Sequence, residues 1–125
     1  MIAVDASVMI AALDRDDVHH DRAAAILSDH ERFQIHPITL AETLVHPVRV
    51  GKGTETLDAV RFAGIGLLTS HDDDPLTLAQ IRVRTGLRMP DCCVLLAAIR
   101  GTLTVATFDD ALASAARQLG LDVVS

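Results

Sequence analysis

The chain has 125 residues, half of them apolar and only 2% aromatic, with no Trp or Tyr and a net charge of −6. That length predicts one domain spanning residues 1–125, because a second core would leave each half marginal. Ala, Val, Leu and Ile must fill the core, which suits helices on a short sheet, and the acidic balance argues against broad electrostatic capture of nucleic acid.

Ile2 to Asp5 predicts a first strand, and Val8, Met9, Ala12 and Leu13 recur at helical spacing directly after it. Met1–Leu13 is apolar enough to suggest a secretory leader, but Asp5 interrupts it and no basic segment precedes it. Past the charged turn Asp14–Asp17, a second helix carries Ala23, Ala24, Ile26 and Leu27, and Phe33–His36 makes a short strand. Pro37 opens a third helix in which Ile38, Ala41, Leu44 and Val45 have the spacing of one buried face, with Glu42 inside it and Pro47 at its end. Val48–Gly53 is a loop, and the following helix turns Leu57, Val60 and Phe62 or Ala63 inward. Gly66–Thr69 is the third strand.

Asp74 and Pro75 read as the cap and first turn of a helix with Leu76, Ala79 and Val83 on one face, closed by Gly86. Pro90 and Asp91 start the most apolar helix, which runs through Ile99 to Gly101 and belongs at the centre of the fold. The strand Leu103–Ala106 follows. A last helix spaces Phe108, Leu112, Ala115, Ala116 and Leu119 along one face before Gly120 and a final strand, Leu121–Val124. No run approaches the roughly 20 apolar residues of a membrane span. Cys92 and Cys93 are neighbours, which a disulfide would strain, so a reducing cytoplasm is the expected compartment.

Short strands alternating with helices predict an α/β fold, a three-layer α/β/α sandwich with a short, mainly parallel sheet. Sites in such sheets form beyond the carboxyl ends of the strands. Asp5 closes the first strand there, Asp109 follows the fourth, Asp91 begins the helix leading into the fourth, and Glu42 lies about one and a half turns into the helix after the second. Four carboxylates in one crevice repel each other, and a hard cation such as Mg²⁺ or Mn²⁺ relieves that while leaving coordination positions for a phosphodiester and a water. Setting those four aside leaves a remainder near −2, so cationic surface can still flank an acidic pocket.

These residues resemble the PIN-domain nucleases, and among them the VapC-like toxins of toxin–antitoxin pairs. Ile2-Ala3-Val4-Asp5-Ala6-Ser7 is similar to the family's opening motif, Leu40-Ala41-Glu42 to its glutamate helix, Pro90-Asp91 to its third motif and Ala106-Thr107-Phe108-Asp109 to its fourth. The resemblance implies that Asp5, Glu42, Asp91 and Asp109 ligate the metal, with Ser7 and Thr107 hydrogen-bonding its waters or ligands. It also implies cleavage of structured RNA, a homodimer and a small antitoxin partner. Cys92 and Cys93 depart from the pattern, standing where small apolar residues are usual, which bears on packing more than on activity. Arg82, Arg84 and Arg88 before Asp91, with Arg49 and Lys52 in a glycine-containing loop, are candidate phosphate contacts, each set equally well a solvated face. Without Trp or Tyr, RNA would be read by shape and backbone.

Other polar groups have blander readings. Asp110 suits the dipole of a helix start better than a fifth ligand position. Asp72 and Asp73 are expected in a solvated loop with Asp74 as cap, His19 and His20 on the surface, and His36 and His46 in structural hydrogen bonds. Two rivals remain. A phosphoacceptor receiver domain shares the size and the acids, but Ala6 follows Asp5 and Lys52 is the sole Lys. A catalytically silent binding module would keep the fold and engage only a partner.

Overall fold

The computed structural model describes residues 1–30 and 32–125. Its elements are β1 (Ile2–Val4), α1 (Ala6–Leu13), α2 (His20–Asp29), β2 (Phe33–Ile35), α3 (Pro37–Arg49), α4 (Gly53–Phe62), β3 (Ile65–Leu67), α5 (Asp74–Thr85), α6 (Met89–Ala97), β4 (Thr104–Ala106), α7 (Asp110–Gln118) and β5 (Asp122–Val124). A π-helical turn, Ala98–Thr102, joins α6 to β4.

The five strands form one sheet in the order β3-β2-β1-β4-β5, and every pairing is parallel. β1 lies at the centre and is buried throughout, as an uninterrupted apolar run should be when both faces are covered. Its side chains alternate. Ile2 and Val4 join Val8 and Met9 of α1, Ala23 and Ile26 of α2, Leu40 of α3 and Val60 of α4 in one core, while Ala3 joins α6 and Leu112, Ala115 and Ala116 of α7 in the other. The expected three-layer α/β/α sandwich is therefore present, with α6 as the central helix.

In α6, Cys92 to Ala97 are all buried. Burial pushes the Cys93 thiol up to about 11, with Cys92, Glu42 and Asp74 adding to it, so it stays protonated at neutral pH. Both cysteines are free. Leu95 is fully buried, and Leu95→Ala is expected to lower the unfolding free energy by about 2–5 kcal/mol. Urea denaturation checks this as a lowered midpoint at an unchanged m-value.

Two helices present a different face from the expected one. In α3 the buried residues are Thr39, Leu40 and Thr43, whereas Ile38 and Val45 are each 47% exposed and Ala41 is also exposed. Thr43 can face the core because its hydroxyl donates to the Thr39 carbonyl at 2.9 Å. α5 behaves alike: Ile81 is buried with Leu78 half-buried, and Leu76, Ala79 and Val83 point outward. Thr85 donates to the Ile81 carbonyl at 2.8 Å on the inner side.

Smaller corrections follow the same local logic. α3 continues through Pro47 to Arg49: Pro47 forgoes one helical hydrogen bond, and Val50 and Lys52 close the end by donating to the His46 and Pro47 carbonyls. Phe62 is 96% exposed and Ala63 is exposed, leaving Val60 and half-buried Leu57 as the inner face of α4. Ala24 is exposed too, so α2 buries Ala23 and Ile26. Gly86 closes α5 at φ +71° as expected. Asp74 begins α5 rather than preceding it. It accepts the His71 N–H at 2.9 Å and pairs with Arg100 at 3.2 Å, while Asp72 and Asp73 are exposed. Among the described residues, no helix is long and apolar enough to cross a membrane.

Candidate active site

Asp5 follows the central strand and caps α1, its Oδ1 accepting the Ala6 N–H at 2.8 Å. Its Oδ2 accepts two hydroxyls, from Ser7 and Thr107, each at 2.7 Å. Each hydroxyl accepts a backbone N–H in turn, from Phe108 to Ser7 at 3.1 Å and from Asp109 to Thr107 at 3.0 Å. Those two N–H groups occupy hydroxyl lone pairs, so the hydroxyl protons are directed at Asp5. A carboxylate only 7% exposed is thus fixed in place by residues from two adjacent strand ends.

Asp109 caps α7, accepting the Leu112 N–H at 2.8 Å through Oδ1, and is itself exposed. Asp91 is in the first turn of α6 and half-buried. Its pKa is raised above the ordinary value by burial, then by repulsion from Asp5 and Asp109, with Arg88 opposing the rise. Glu42 is exposed on α3, yet its pKa is also raised, by desolvation first and then by Asp5 and Asp91. Asp91 is therefore the hub of the group: it interacts with Asp5, Glu42 and Asp109.

The donor set suits a hard divalent cation in kind, being carboxylate oxygens in mutual repulsion. Among the described residues, no three His, Cys, Asp or Glu side chains already stand close enough to share one ion. Among the four, Asp5 is the one locked in place, by its two hydroxyl partners.

The remaining predicted residues are distributed unevenly. Arg88 immediately precedes α6 and acts on Asp91. Arg82 donates to the Leu87 carbonyl and ties down the α5–α6 turn, while Arg84 is exposed on α5. Arg49 ends α3 in solvent, and Lys52 lines a groove of about 480 Å³ with Ile10, Leu13 and His46 that contains none of the four acids. His36 accepts the Ile38 N–H at 3.0 Å as the cap of α3, the structural role expected of it. His46, by contrast, is exposed.

His19 and His20 are not simple surface residues. His20 Nδ1 lies 2.8 Å from the Ala11 carbonyl, and the His19 ring stacks on Phe108 at 4.6 Å between centroids. Phe108 precedes α7 rather than lying within it, which frees its ring for that contact. Arg22 places its guanidinium 5.5 Å from the same ring centroid. Together with Arg117 these residues line a cavity of about 270 Å³ beside Thr107, Asp109 and Asp110. Nothing periodic links His19 to Phe108, so sequence reasoning had no pattern by which to find them.

Asp5 and Asp109 thus stand at the carboxyl ends of strands in a parallel α/β sheet, where sites of such folds form. The PIN-domain family model matches residues 2–118, and the chain belongs to the PIN-domain family of nucleases. The structure of Mycobacterium tuberculosis VapC20, described as a sarcin-ricin loop cleaving toxin, is similar over 92% of this chain and 95% of that one, with TM-score 0.76 and 15% identity. FitAcB from Neisseria gonorrhoeae is similar over 100% and 97%, with TM-score 0.73 and 21% identity. A protein of Pyrobaculum aerophilum is similar over 91% and 83%, with TM-score 0.62 and 22% identity. These TM-scores establish a shared fold. No curated protein matches the sequence.

Proposed function

We propose that residues 1–125 act as a single metal-dependent endoribonuclease domain, cleaving structured RNA as the cytoplasmic toxin of a toxin–antitoxin pair. Asp5, Glu42, Asp91 and Asp109 would hold Mg²⁺ or Mn²⁺. The observation that carries this reading is Asp5: a nearly buried carboxylate held by two oriented hydroxyls, whose charge adds to the burial that raises the pKa values of Glu42 and Asp91. When bound, the cation supplies charge neutralisation at the scissile phosphate and a more acidic coordinated water. The chain's own part is to fix Asp5 through Ser7 and Thr107, to aim Asp91 from a rigid buried helix, and to present Arg88 to the phosphate backbone. The toxin role, the antitoxin and the homodimer rest on the family resemblance, and the similarity to VapC20, a sarcin-ricin loop cleaving toxin, supports the toxin role.

Incubating a mixed pool of structured RNA with the purified chain in Mg²⁺, Mn²⁺ or EDTA tests the proposal. Cleavage that EDTA abolishes supports it. A folded, antitoxin-free protein that leaves the pool intact with either metal favours the silent binding module.

Ser7→Ala and Thr107→Val each take one hydroxyl donor from Asp5. Each is expected to slow cleavage by about 10–100-fold, the range for lost partners of a ligand, and to lower the melting temperature, because the N–H of Phe108 or Asp109 also loses its acceptor. Single-turnover rates beside thermal melts check both halves of that expectation.

A further inference from the structure

We infer that the cavity beside Asp109 is a phosphate subsite for the RNA strand, in which Arg22 and Arg117 hold a backbone phosphate adjacent to the one being cleaved. The inference deepens the nuclease reading and rests on it.

The cavity shares Thr107 and Asp109 with the acidic site, so a group bound in it is a near neighbour of anything bound at the carboxylates. Two arginines from different helices, α2 and α7, line it. Neither forms a salt bridge among the described residues, although Asp109 and Asp110 stand in the same wall. Neither donates a side-chain hydrogen bond among the described residues either. The planar fork of an arginine matches phosphate oxygens, and here two such forks are uncommitted.

Arg22 is nevertheless restrained. Its guanidinium rests by the Phe108 ring, on which His19 also stacks, so its planar group is aimed without its donors being used. Phe108 is held in turn by its N–H bond to the Ser7 hydroxyl that serves Asp5. The shelf under Arg22 is thus built onto the same network as the central carboxylate. A chain of charge −6 with an acidic centre needs local cations to keep a polyanion there. Arg88 supplies one on the Asp91 side, and Arg22 with Arg117 supplies the Asp109 side.

The test uses the full chain with Arg22→Gln/Arg117→Gln, which keeps side-chain length and removes the charge. The parallel Arg22→Lys/Arg117→Lys variant keeps the charge and removes the fork. In EDTA, binding of a short single-stranded RNA is followed by anisotropy across a salt series. The Gln pair should lower the slope of log Kd against log salt by about 0.7, the value for one lost phosphate contact, and the Lys pair should restore most of it. With metal, KM should rise about tenfold in the Gln pair while kcat changes less than about twofold, the split expected for lost uniform binding. Phe108→Leu should raise KM by a smaller factor by removing the shelf alone.

Cleavage by a Gln pair with unchanged KM and salt slope overturns the subsite and leaves the nuclease reading standing. A wild-type chain that binds RNA but cleaves none with either metal overturns the nuclease reading, and the salt slope still decides the subsite. Absence of RNA binding by the wild-type chain overturns the subsite.

Discussion

Asp5→Asn is expected to reduce metal-dependent RNA cleavage by at least about 100-fold while the chain stays folded. Outer partners of a metal ligand are commonly worth about 10–100-fold, and Asp5 is proposed as a ligand with two such partners of its own. The substitution keeps the shape and lets Oδ1 go on accepting from Ala6, but it replaces the oxygen that receives Ser7 and Thr107 with a donor. To receive an amide donor, each hydroxyl would have to turn away the proton it now gives to Asp5, which breaks the arrangement that fixes the side chain. Folding suffers less, because removing one negative charge also relieves Glu42 and Asp91. Single-turnover rates with Mg²⁺ and Mn²⁺ check the prediction, beside a circular dichroism melt. A variant retaining more than about a tenth of the wild-type rate would remove Asp5 from the ligand set.

The order of elements and the acidic edge were legible for a simple reason. Strands buried on both faces must be short apolar runs, and the residues that end them stand at the sheet edge whatever the helices do; Asp5 and Asp109 are of that kind. Helix phase was less legible. In α3 and α5 the periodicity was right and the face wrong, because threonine counts as polar in a sequence while Thr43 and Thr85 satisfy their own hydroxyls on a carbonyl one turn back. Inward threonines rotate each helix and leave Ile38, Val45, Leu76 and Val83 outside. The hydrogen bonds of Ser7 and Thr107 to Asp5 span chain separations from 2 to 102 residues, so motif resemblance could suggest the pair but not the direction of the bonds. The His19–Phe108–Arg22 group arises from packing between distant segments, and composition gave no hint of it beyond three phenylalanines in the whole chain.

The repulsion among the acids also predicts an unusual response of stability to pH and to metal. Glu42 and Asp91 have folded-state pKa values raised above their ordinary ones, so between those values the folded chain binds more protons than the unfolded chain. By linkage, the stability these two groups contribute is fully present below the ordinary carboxylate range and is lost as pH rises through the raised values. In EDTA, then, Glu42→Gln and Asp91→Asn should melt no lower than wild type at neutral pH, and any advantage should vanish below the ordinary carboxylate range, where the wild-type groups are protonated. Mg²⁺ or Mn²⁺ should raise the wild-type melting temperature at neutral pH. Saturation at 100 times Kd corresponds to about 2.7 kcal/mol, which for a domain of this size is roughly 10 °C. The same ions should shift Asp91→Asn far less, since the hub of the acid group has lost its charge. Thermal melts at acid and neutral pH, with and without metal, read all of this independently of any RNA. Equal metal shifts in wild type and Asp91→Asn would mean that the ion binds elsewhere.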